Sequence, residues 1–190
     1  MEKMLEIRWH GRGGQGAVTA ARLLAEAAVA KGYYSQAFPE FGPERRGAPI
    51  QAFTRLNNSV IRAYYGISDP HVVIVLDSTL LNSIDVKRGL AANGTVLANT
   101  SAAPGEIRQK LGLKDARTCT IDATSIAQDC IGIPIPNTAM IGALVKAIGI
   151  LDIEDVVDYV KKAFASKLSS RALEGNLKAI RRAYDEVRVE

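Results

Sequence analysis

The sequence predicts an α/β fold: a three-layer α/β/α, Rossmann-like domain with a mixed, mostly parallel sheet and a helical C-terminal part. Three observations predict it. Near residue 10 a strand-like stretch, a glycine cluster and a helical stretch follow one another. The unbroken β-branched run at 72–76 is typical of a central strand covered on both faces. After residue 136 the apolar residues recur at helical spacing. A chain of 190 residues is expected to form one domain, 1–190.

The first elements alternate between strand and helix. Residues 5–9 alternate at period two and predict a strand, and residues 17–31 carry apolar side chains at helical spacing. Residues 33–38 predict a second strand. The segment 39–49, with its glycines and prolines, predicts a loop before the next strand.

A hairpin is expected to make the sheet mixed. Residues 50–56 predict a strand, and Asn57 with Asn58 can adopt the positive backbone angles of a tight turn. The predicted partner strand of this hairpin is 60–64.

The remaining elements continue the α/β alternation and then become helical. Strands are predicted at 95–98 and 117–121, with a helix that begins at Pro104 and ends near residue 111 between them. The last part of the chain is predicted to form three helices: 138–148, one capped by Asp152, and one that carries the apolar residues between 173 and 187.

Composition argues against several classes of protein. The net charge is +4, from 24 basic and 20 acidic residues spread along the chain, so no nucleic-acid partner is expected. The longest unbroken aliphatic run, 72–76, is far shorter than a membrane span, so no membrane partner is expected either. The first residues alternate charged and apolar side chains, unlike a secretory signal, and we expect a cytoplasmic protein.

The two cysteines, Cys119 and Cys130, do not form a C-x-x-C pair. Neither an iron–sulfur cluster nor a cysteine-based zinc site can be built from them alone, and no metal site is expected. Both are expected to be small buried apolar residues.

A glycine-rich loop lies between the first predicted strand and helix. Gly11, Gly13 and Gly16 satisfy the G-x-G-x-x-G pattern in the strand-turn-helix context that gives it meaning. Glycines let backbone N–H groups approach an anion, and the N-terminus of the following helix favours phosphate. The pattern therefore predicts phosphate binding, with a purely structural tight turn as the alternative. The predicted binding loop consists of Gly11, Arg12, Gly13, Gly14, Gln15 and Gly16.

A simple NAD site is disfavoured because the expected acid is missing. Dinucleotide-binding domains carry an Asp or Glu at the end of the second strand. Here that strand ends near Phe38, and Glu40 follows only after Pro39.

The loop after this strand carries charged residues that no periodicity explains. Glu44, Arg45 and Arg46 are candidate binding residues. The guanidinium groups of Arg45 and Arg46 suit phosphate or carboxylate. Arg45 and Arg46 also keep an NADP site open as an alternative. A surface ion-pair cluster of the two arginines with Glu40 and Glu44 is the other alternative.

Two further candidates follow predicted strands or begin helices. Thr79 follows the 72–76 run, and Asn137 precedes the 138–148 helix. Each is placed to contact a ligand at the carboxyl edge of the sheet or to cap a helix. His10 and His71 are isolated in sequence and are expected to be non-catalytic. No catalytic signature occurs, so no catalytic residue is assigned.

Segments 10–21 and 36–49 resemble the gamma subunit of pyruvate:ferredoxin oxidoreductase, of the 2-oxoacid:ferredoxin oxidoreductase family. Segments 69–81 and 133–143 also resemble the later segments of this family, in the same order. The resemblance implies a subunit of an enzyme that oxidatively decarboxylates a 2-oxoacid, expected to be pyruvate, to an acyl-coenzyme A. It implies partner alpha, beta and delta subunits, with thiamine diphosphate and [4Fe-4S] clusters on those partners and electrons passing through the complex to ferredoxin.

The resemblance also implies that the gamma part helps to hold coenzyme A. The glycine loop, Glu44, Arg45, Arg46, Thr79 and Asn137 are therefore the predicted coenzyme A contacts. The alternatives are an autonomous NADP-binding reductase domain and a non-catalytic nucleotide-binding assembly module.

Overall fold

The computed structural model describes residues 4–40 and 47–190. Its centre is a seven-stranded sheet. The strands are β1 (Leu5–Arg12), β2 (Tyr34–Glu40), β3 (Pro49–Asn57), β4 (Val72–Val75), β5 (Thr95–Asn99), β6 (Arg117–Ile121) and β7 (Arg188–Val189). Their order across the sheet is β2-β3-β1-β4-β5-β6-β7.

The sheet is mixed and mostly parallel, as predicted. β1, β4, β5 and β6 run parallel to one another. β3 lies antiparallel between β1 and β2, with Leu5 opposite Leu56 and Arg12 opposite Pro49. β7 pairs antiparallel with β6 at the far edge. β4 is buried along its whole length, as its β-branched composition indicates.

The predicted hairpin partner of β3 is wrong. Residues 60–64 contain no strand, and β3 pairs instead with β2, where Phe38 lies opposite Phe53. Backbone acceptors in and just after this stretch bond to side chains of the sheet and not to a partner strand. Gln36 Nε2 donates to the Ala63 carbonyl oxygen (3.1 Å), and the buried Arg55 donates to those of Tyr65 (2.7 Å) and Gly66 (3.3 Å).

Helices cover the sheet unequally. They are α1 (Ala17–Ala30), α2 (Leu80–Ser83), α3 (Pro104–Leu111), α4 (Ala123–Ile131), α5 (Asn137–Ile148), α6 (Ile153–Phe164) and α7 (Ser170–Glu186). The larger apolar cluster joins one sheet face to α1, α5 and the C-terminal helices. The smaller cluster joins β4 and β5 to α2 and α3 on the other face. The predicted three-layer class is confirmed, and α7 adds a further layer outside α5.

The contact between α5 and α7 is unusually close. A Cβ placed on Gly142 would meet the carbonyl oxygen of Ile180 at only 2.0 Å. α5 is buried on almost every side because it lies between the sheet and α7. The absence of a side chain at Gly142 therefore sets the distance between these two helices.

Local signals explain the helix ends that were predicted correctly. Pro104 is the first residue of α3, and Gly112 ends that helix in the left-handed conformation. The carboxylate of Asp152 accepts a hydrogen bond from the Glu154 amide (2.8 Å) at the start of α6. No sequence pattern predicted α4 or β7, and α2 was anticipated only through the possible cap at Thr79. α4 does carry a capping signal, since Asp122 accepts from the Ser125 amide (3.0 Å).

Candidate functional site

The candidate site lies where the chain changes direction across the sheet. From β1 the chain crosses through α1 to β2 on one side, whereas β4 lies on the other side of β1. The carboxyl ends of β1 and β4 meet at this point, and the Leu76 amide donates to the His10 carbonyl oxygen (2.8 Å). Such a switch point leaves a crevice in which open α/β sheets bind ligands.

The glycine loop at the end of β1 is a tight turn into α1. Gly14 and Gly16 have φ values of 99° and 77°, which residues with a side chain rarely adopt. The Gly13 amide donates to the Ala48 carbonyl oxygen (3.0 Å), and the Gly13 carbonyl oxygen accepts from the Gly47 amide (3.3 Å). The loop is thereby fixed against the start of β3, and Gly14 remains exposed.

The N-terminus of α1 lies at the mouth of this loop. No side chain among residues 4–40 and 47–190 caps the helix, whose capping position is Gly16. The first amides of a helix have no acceptor within it and carry partial positive charge. A bound anion can serve as their acceptor.

Asn137, the first residue of α5, closes the other side of the loop. A Cβ on Gly16 would lie 2.5 Å from the Asn137 Nδ2 atom, so the two residues are in tight contact. The Asn137 Oδ1 atom accepts from the Thr138 amide (2.8 Å). Asn137 therefore borders the loop, but it does not cap α5, whose N-cap position is Pro136. Its contact with a ligand stays a prediction.

Asp77, two residues after the end of β4, joins the glycine loop to Thr79 by hydrogen bonds. Its carboxylate accepts from Gln15 Nε2 (2.7 Å), the Thr79 amide (2.9 Å) and Thr79 Oγ1 (2.5 Å). Arg12 Nε lies 3.3 Å from the same carboxylate. Burial raises the pKa of Asp77, but the hydrogen bonds from Thr79 and Gln15 and the charge of Arg12 outweigh it, and the net pKa is lowered. Asp77 is therefore an ionised acceptor.

Arg12 is held in place from both sides. Its guanidinium donates to Thr79 Oγ1 (2.8 Å from Nη2) and to the Gly47 carbonyl oxygen (3.1 Å from Nη1). Its backbone amide donates to Gln15 Oε1 (2.8 Å). The side chain remains partly exposed, at 30%. A rigid, accessible guanidinium beside uncapped amides can bind an anion at two points.

The structure brings together most of the predicted binding residues. The six loop residues 11–16, Thr79 and Asn137 lie close together. Glu44, Arg45 and Arg46 lie outside the described residues. Thr79 occupies the N-cap position of α2, but its hydroxyl bonds to Asp77 and Arg12 and does not cap the helix. Asp77 was absent from the predicted set, although its position after a buried strand was the signal that could have placed it there.

The position of β2 argues against a conventional dinucleotide site. In the dinucleotide-binding fold β2 is adjacent to β1, which brings its terminal acid to the ribose. Here β3 separates them, so Glu40 at the end of β2 is two strand spacings, about 10 Å, from β1.

The sequence model of the family described as pyruvate ferredoxin/flavodoxin oxidoreductase matches residues 6–186. The chain belongs to this family. The pyruvate/ketoisovalerate oxidoreductases common subunit gamma of Pyrococcus furiosus is 48% identical over 186 residues, which cover 98% of each chain. The resemblance inferred from the sequence motifs is thus confirmed.

Two solved structures of oxidoreductases share the fold. The crystal structure of pyruvate oxidoreductase subunit PORC from Thermotoga maritima is 42% identical, with a TM-score of 0.87, over 100% of this chain and 99% of that one. The 2-oxoglutarate:ferredoxin oxidoreductase from Magnetococcus marinus is 18% identical, with a TM-score of 0.76, over 97% of this chain and 31% of that chain. At that identity the second match demonstrates a common fold only.

His10 is a buried, neutral side chain in this family member. It lies on the sheet face opposite α1, and its Nε2 atom accepts from Arg8 Nε (3.1 Å). Burial, and then the charge of Arg8, lower its pKa to about 4. The Arg8 guanidinium also donates to the carbonyl oxygens of Val86 and Arg88. That His10 is non-catalytic stays a prediction.

The cysteines differ in burial. Cys119 is buried in β6, and burial raises the pKa of its thiol to about 11. Cys130 is partly buried and packs against the larger apolar cluster. In the part of the chain that the structure describes, no group of three or more His, Cys, Asp or Glu side chains is arranged to hold a metal ion. Within the same residues no helix has the length and apolarity of a membrane span.

Proposed function

We propose that this chain is the gamma subunit of a pyruvate or related 2-oxoacid:ferredoxin oxidoreductase, and that its glycine loop holds coenzyme A. The observation that carries the proposal is the rigid anion-binding arrangement at the mouth of α1, at the switch point of the sheet. Coenzyme A carries phosphate groups that such an arrangement can bind, and it accepts the acyl group in the reaction of this family.

The loop fits the pyrophosphate of coenzyme A. Gly14 and Gly16 leave the backbone open to a close approach, and the first amides of α1 are directed towards the loop. Arg12, which Asp77 and Thr79 hold in place, supplies the guanidinium on the other side. Because the donors are preorganised, little conformational entropy is lost when the ligand binds.

Arg45 and Arg46 are part of the proposal through their place in the sequence. They directly precede Gly47, whose carbonyl oxygen accepts from Arg12 and whose amide donates to Gly13. We expect them to add positive charge for a phosphate of the same ligand, with Glu44 nearby.

The oxidative chemistry is assigned to partner subunits. The relatives named above are subunits of oxidoreductases, and one of them is a common subunit of two enzymes. Thiamine diphosphate and [4Fe-4S] clusters are expected on the alpha, beta and delta partners, and ferredoxin is expected to receive the electrons from the complex. This chain would then position the co-substrate, in the cytoplasm, without contributing a catalytic residue.

An autonomous NADP-binding reductase domain is the weaker alternative. It needs a ribose contact at the end of β2, and β3 holds that position away from the crevice. The second alternative is a non-catalytic assembly module. It predicts that the chain binds its partners but that neither coenzyme A nor changes in the loop affect the turnover of the complex.

A matched pair of glycine variants tests the proposal. Gly14 and Gly132 both have positive φ, and a Cβ at either would meet no atom within 4 Å. Gly14→Asp places a carboxylate in the loop, whereas Gly132→Asp places one at the end of α4. In the purified complex, we expect Gly14→Asp to raise the KM for coenzyme A about tenfold or more by repelling phosphate, and Gly132→Asp to leave it unchanged. An unchanged KM in the Gly14→Asp enzyme would refute the assignment.

A further inference from the structure

The outer edge of β2 is free, and exposed tyrosines border it. The order of strands across the sheet ends at β2, which pairs only with β3 in the part of the chain that the structure describes. Tyr34, Tyr64 and Tyr65 are 47%, 95% and 66% exposed. We propose, independently of the proposed function, that the β2 edge is the surface through which two copies of this chain form a symmetric dimer.

Two of the aromatic side chains beside β2 are held in place, and one is not. The guanidinium carbon of Arg55 lies 5.3 Å from the centre of the Phe38 ring and 4.9 Å from the centre of the Tyr65 ring. Tyr64 is almost fully exposed. Phe38, Tyr64 and Tyr65 line an open cavity of about 540 Å³, which is large enough to take a side chain of another molecule.

The exposed tyrosine surface is large for a single chain. A tyrosine presents about 200 Å², so the exposed parts of the three tyrosines amount to about 400 Å². A standard-size interface buries about 800 Å² on each partner. The three rings therefore supply about half of such an interface, and the exposed Val60 and the strand edge add to it.

The backbone of β2 can pair with a second copy of the same strand. Proline occurs in edge strands with its nitrogen directed to solvent, so Pro39 identifies residues 35, 37 and 39 as the outward-facing set. The amides of Ser35 and Ala37 are then available to another strand. Antiparallel pairing with Ala37 on a two-fold axis uses both amides, since Ala37 bonds to Ala37 of the second copy and Ser35 donates to the carbonyl oxygen of Pro39.

The cavity is filled in the same arrangement. A two-fold axis perpendicular to the sheet keeps the same face of both copies on one side. The two cavities then lie next to each other across the joined strands. Tyr64, which has almost no contact within its own chain, can enter the cavity of the other copy.

Charges at the two ends of β2 also favour a second copy as the partner. Glu40 ends the strand, whereas Arg62 lies beside its first half, next to Ala63, whose carbonyl oxygen accepts from Gln36 Nε2 (3.1 Å). Both charged side chains are exposed and make no hydrogen bond or ion pair with any described residue. The two-fold axis brings Glu40 of each copy to the Arg62 end of the other, so the surface is self-complementary.

Charge reversal tests this pairing. Sedimentation equilibrium of the purified full chain measures the Kd of the dimer for wild type, Glu40→Arg, Arg62→Glu and the double variant. Each single reversal should raise Kd about tenfold or more, because it places like charges opposite each other twice. The double variant restores both pairs and should return Kd to within about threefold of wild type. Arg171→Glu, at an exposed arginine in the first turn of α7, is the control and should leave Kd unchanged.

Tyr64→Ser tests the aromatic part of the surface. The wild-type side chain is almost fully exposed, so its removal should leave the thermal midpoint of the chain unchanged. Loss of an aromatic anchor at the interface should raise Kd about thirtyfold or more. Ile133→Ser, at another exposed apolar residue, is the matched control and should leave Kd as in wild type.

Three results would overturn the proposal: a wild-type chain that is monomeric at every concentration, a Kd that Tyr64→Ser and the single reversals leave unchanged, or a double variant that dimerises no better than the single ones. If the wild-type chain is monomeric and Tyr64→Ser prevents its assembly with the other oxidoreductase subunits, the β2 edge contacts one of those subunits and not a second copy.

Discussion

Gly142→Ala tests the packing of the C-terminal helices on the sheet. The added Cβ would lie 2.0 Å from the Ile180 carbonyl oxygen. An ordinary carbon–oxygen contact is about 3.3 Å, so α5 and α7 must separate by about 1.3 Å at this point. Overpacking of this kind costs up to about 3 kcal/mol, and alanine recovers about 1 kcal/mol through its higher helix propensity. The expected net loss in the free energy of unfolding is about 2 kcal/mol.

Thermal and urea unfolding of the purified chain, followed by circular dichroism, measure this loss. For a chain of this size the midpoint should fall by about 4 to 8 °C. Gly66→Ala is the control, because a Cβ there meets nothing within 4 Å and the backbone φ is not positive. It should leave the stability unchanged or raise it by less than about 1 kcal/mol. If Gly142→Ala is as stable as Gly66→Ala, the α5–α7 spacing inferred here is wrong.

Three further predictions concern the site and the thiols. Gly16→Ala should destabilise the chain by about 2 kcal/mol and raise KM for coenzyme A, because φ is 77° at this position and the added Cβ meets Asn137. Adding Asn137→Gly removes the contact but not the backbone strain, so it should restore only part of the free energy of unfolding measured in urea. The folded-state pKa of Asp77 lies below its ordinary value of 3.8, so its stabilising contribution is present above that value and is lost as the pH falls through the folded pKa. Urea titrations from pH 7 to pH 3 should therefore show less acid destabilisation for Asp77→Asn than for wild type; an identical pH dependence would contradict this. Cys119, with a thiol pKa of about 11, should resist alkylation by iodoacetamide at pH 8 until the chain unfolds, whereas the partly buried Cys130 should react sooner. Peptide mass spectrometry measures the two labelling rates, and equal rates would reject this prediction.

Local patterns predicted the elements whose signals are contained in a short stretch. The buried strand at β4, the helix from Pro104 to Leu111 and the Asp152 cap each follow from adjacent residues. The irregular backbone after β3 did not, because it is held by long-range bonds such as those from the buried Arg55 to carbonyl oxygens ten and eleven residues away in sequence. Burial of an arginine within a strand has no signature in a window of alternating residues.

The same distinction applies to the site. The glycine loop is a contiguous motif, and its context between strand and helix was predictable. The contact of Asn137 with Gly16 joins residues more than a hundred positions apart, and only the packing of α5 beside α1 reveals it. Asp77 was recognisable as a strand-end residue, but its role in holding Arg12 and Gln15 depends on the parallel pairing of β1 with β4.

The insertion of β3 connects the fold to the kind of ligand that the chain is proposed to bind. With β2 adjacent to β1, the G-x-G-x-x-G loop would face a ribose-binding acid, and a nicotinamide dinucleotide would be the natural ligand. The antiparallel β3 moves that acid to the edge of the sheet and brings Gly47 and Ala48 against the loop instead. The crevice therefore keeps the N-terminus of α1 at its mouth, loses the ribose contact on the β2 side and remains open on the β4 side, beside Thr79. Coenzyme A, the proposed ligand, has a pyrophosphate for this mouth and needs no ribose-binding acid at the end of β2, whereas a dinucleotide needs both halves of the crevice.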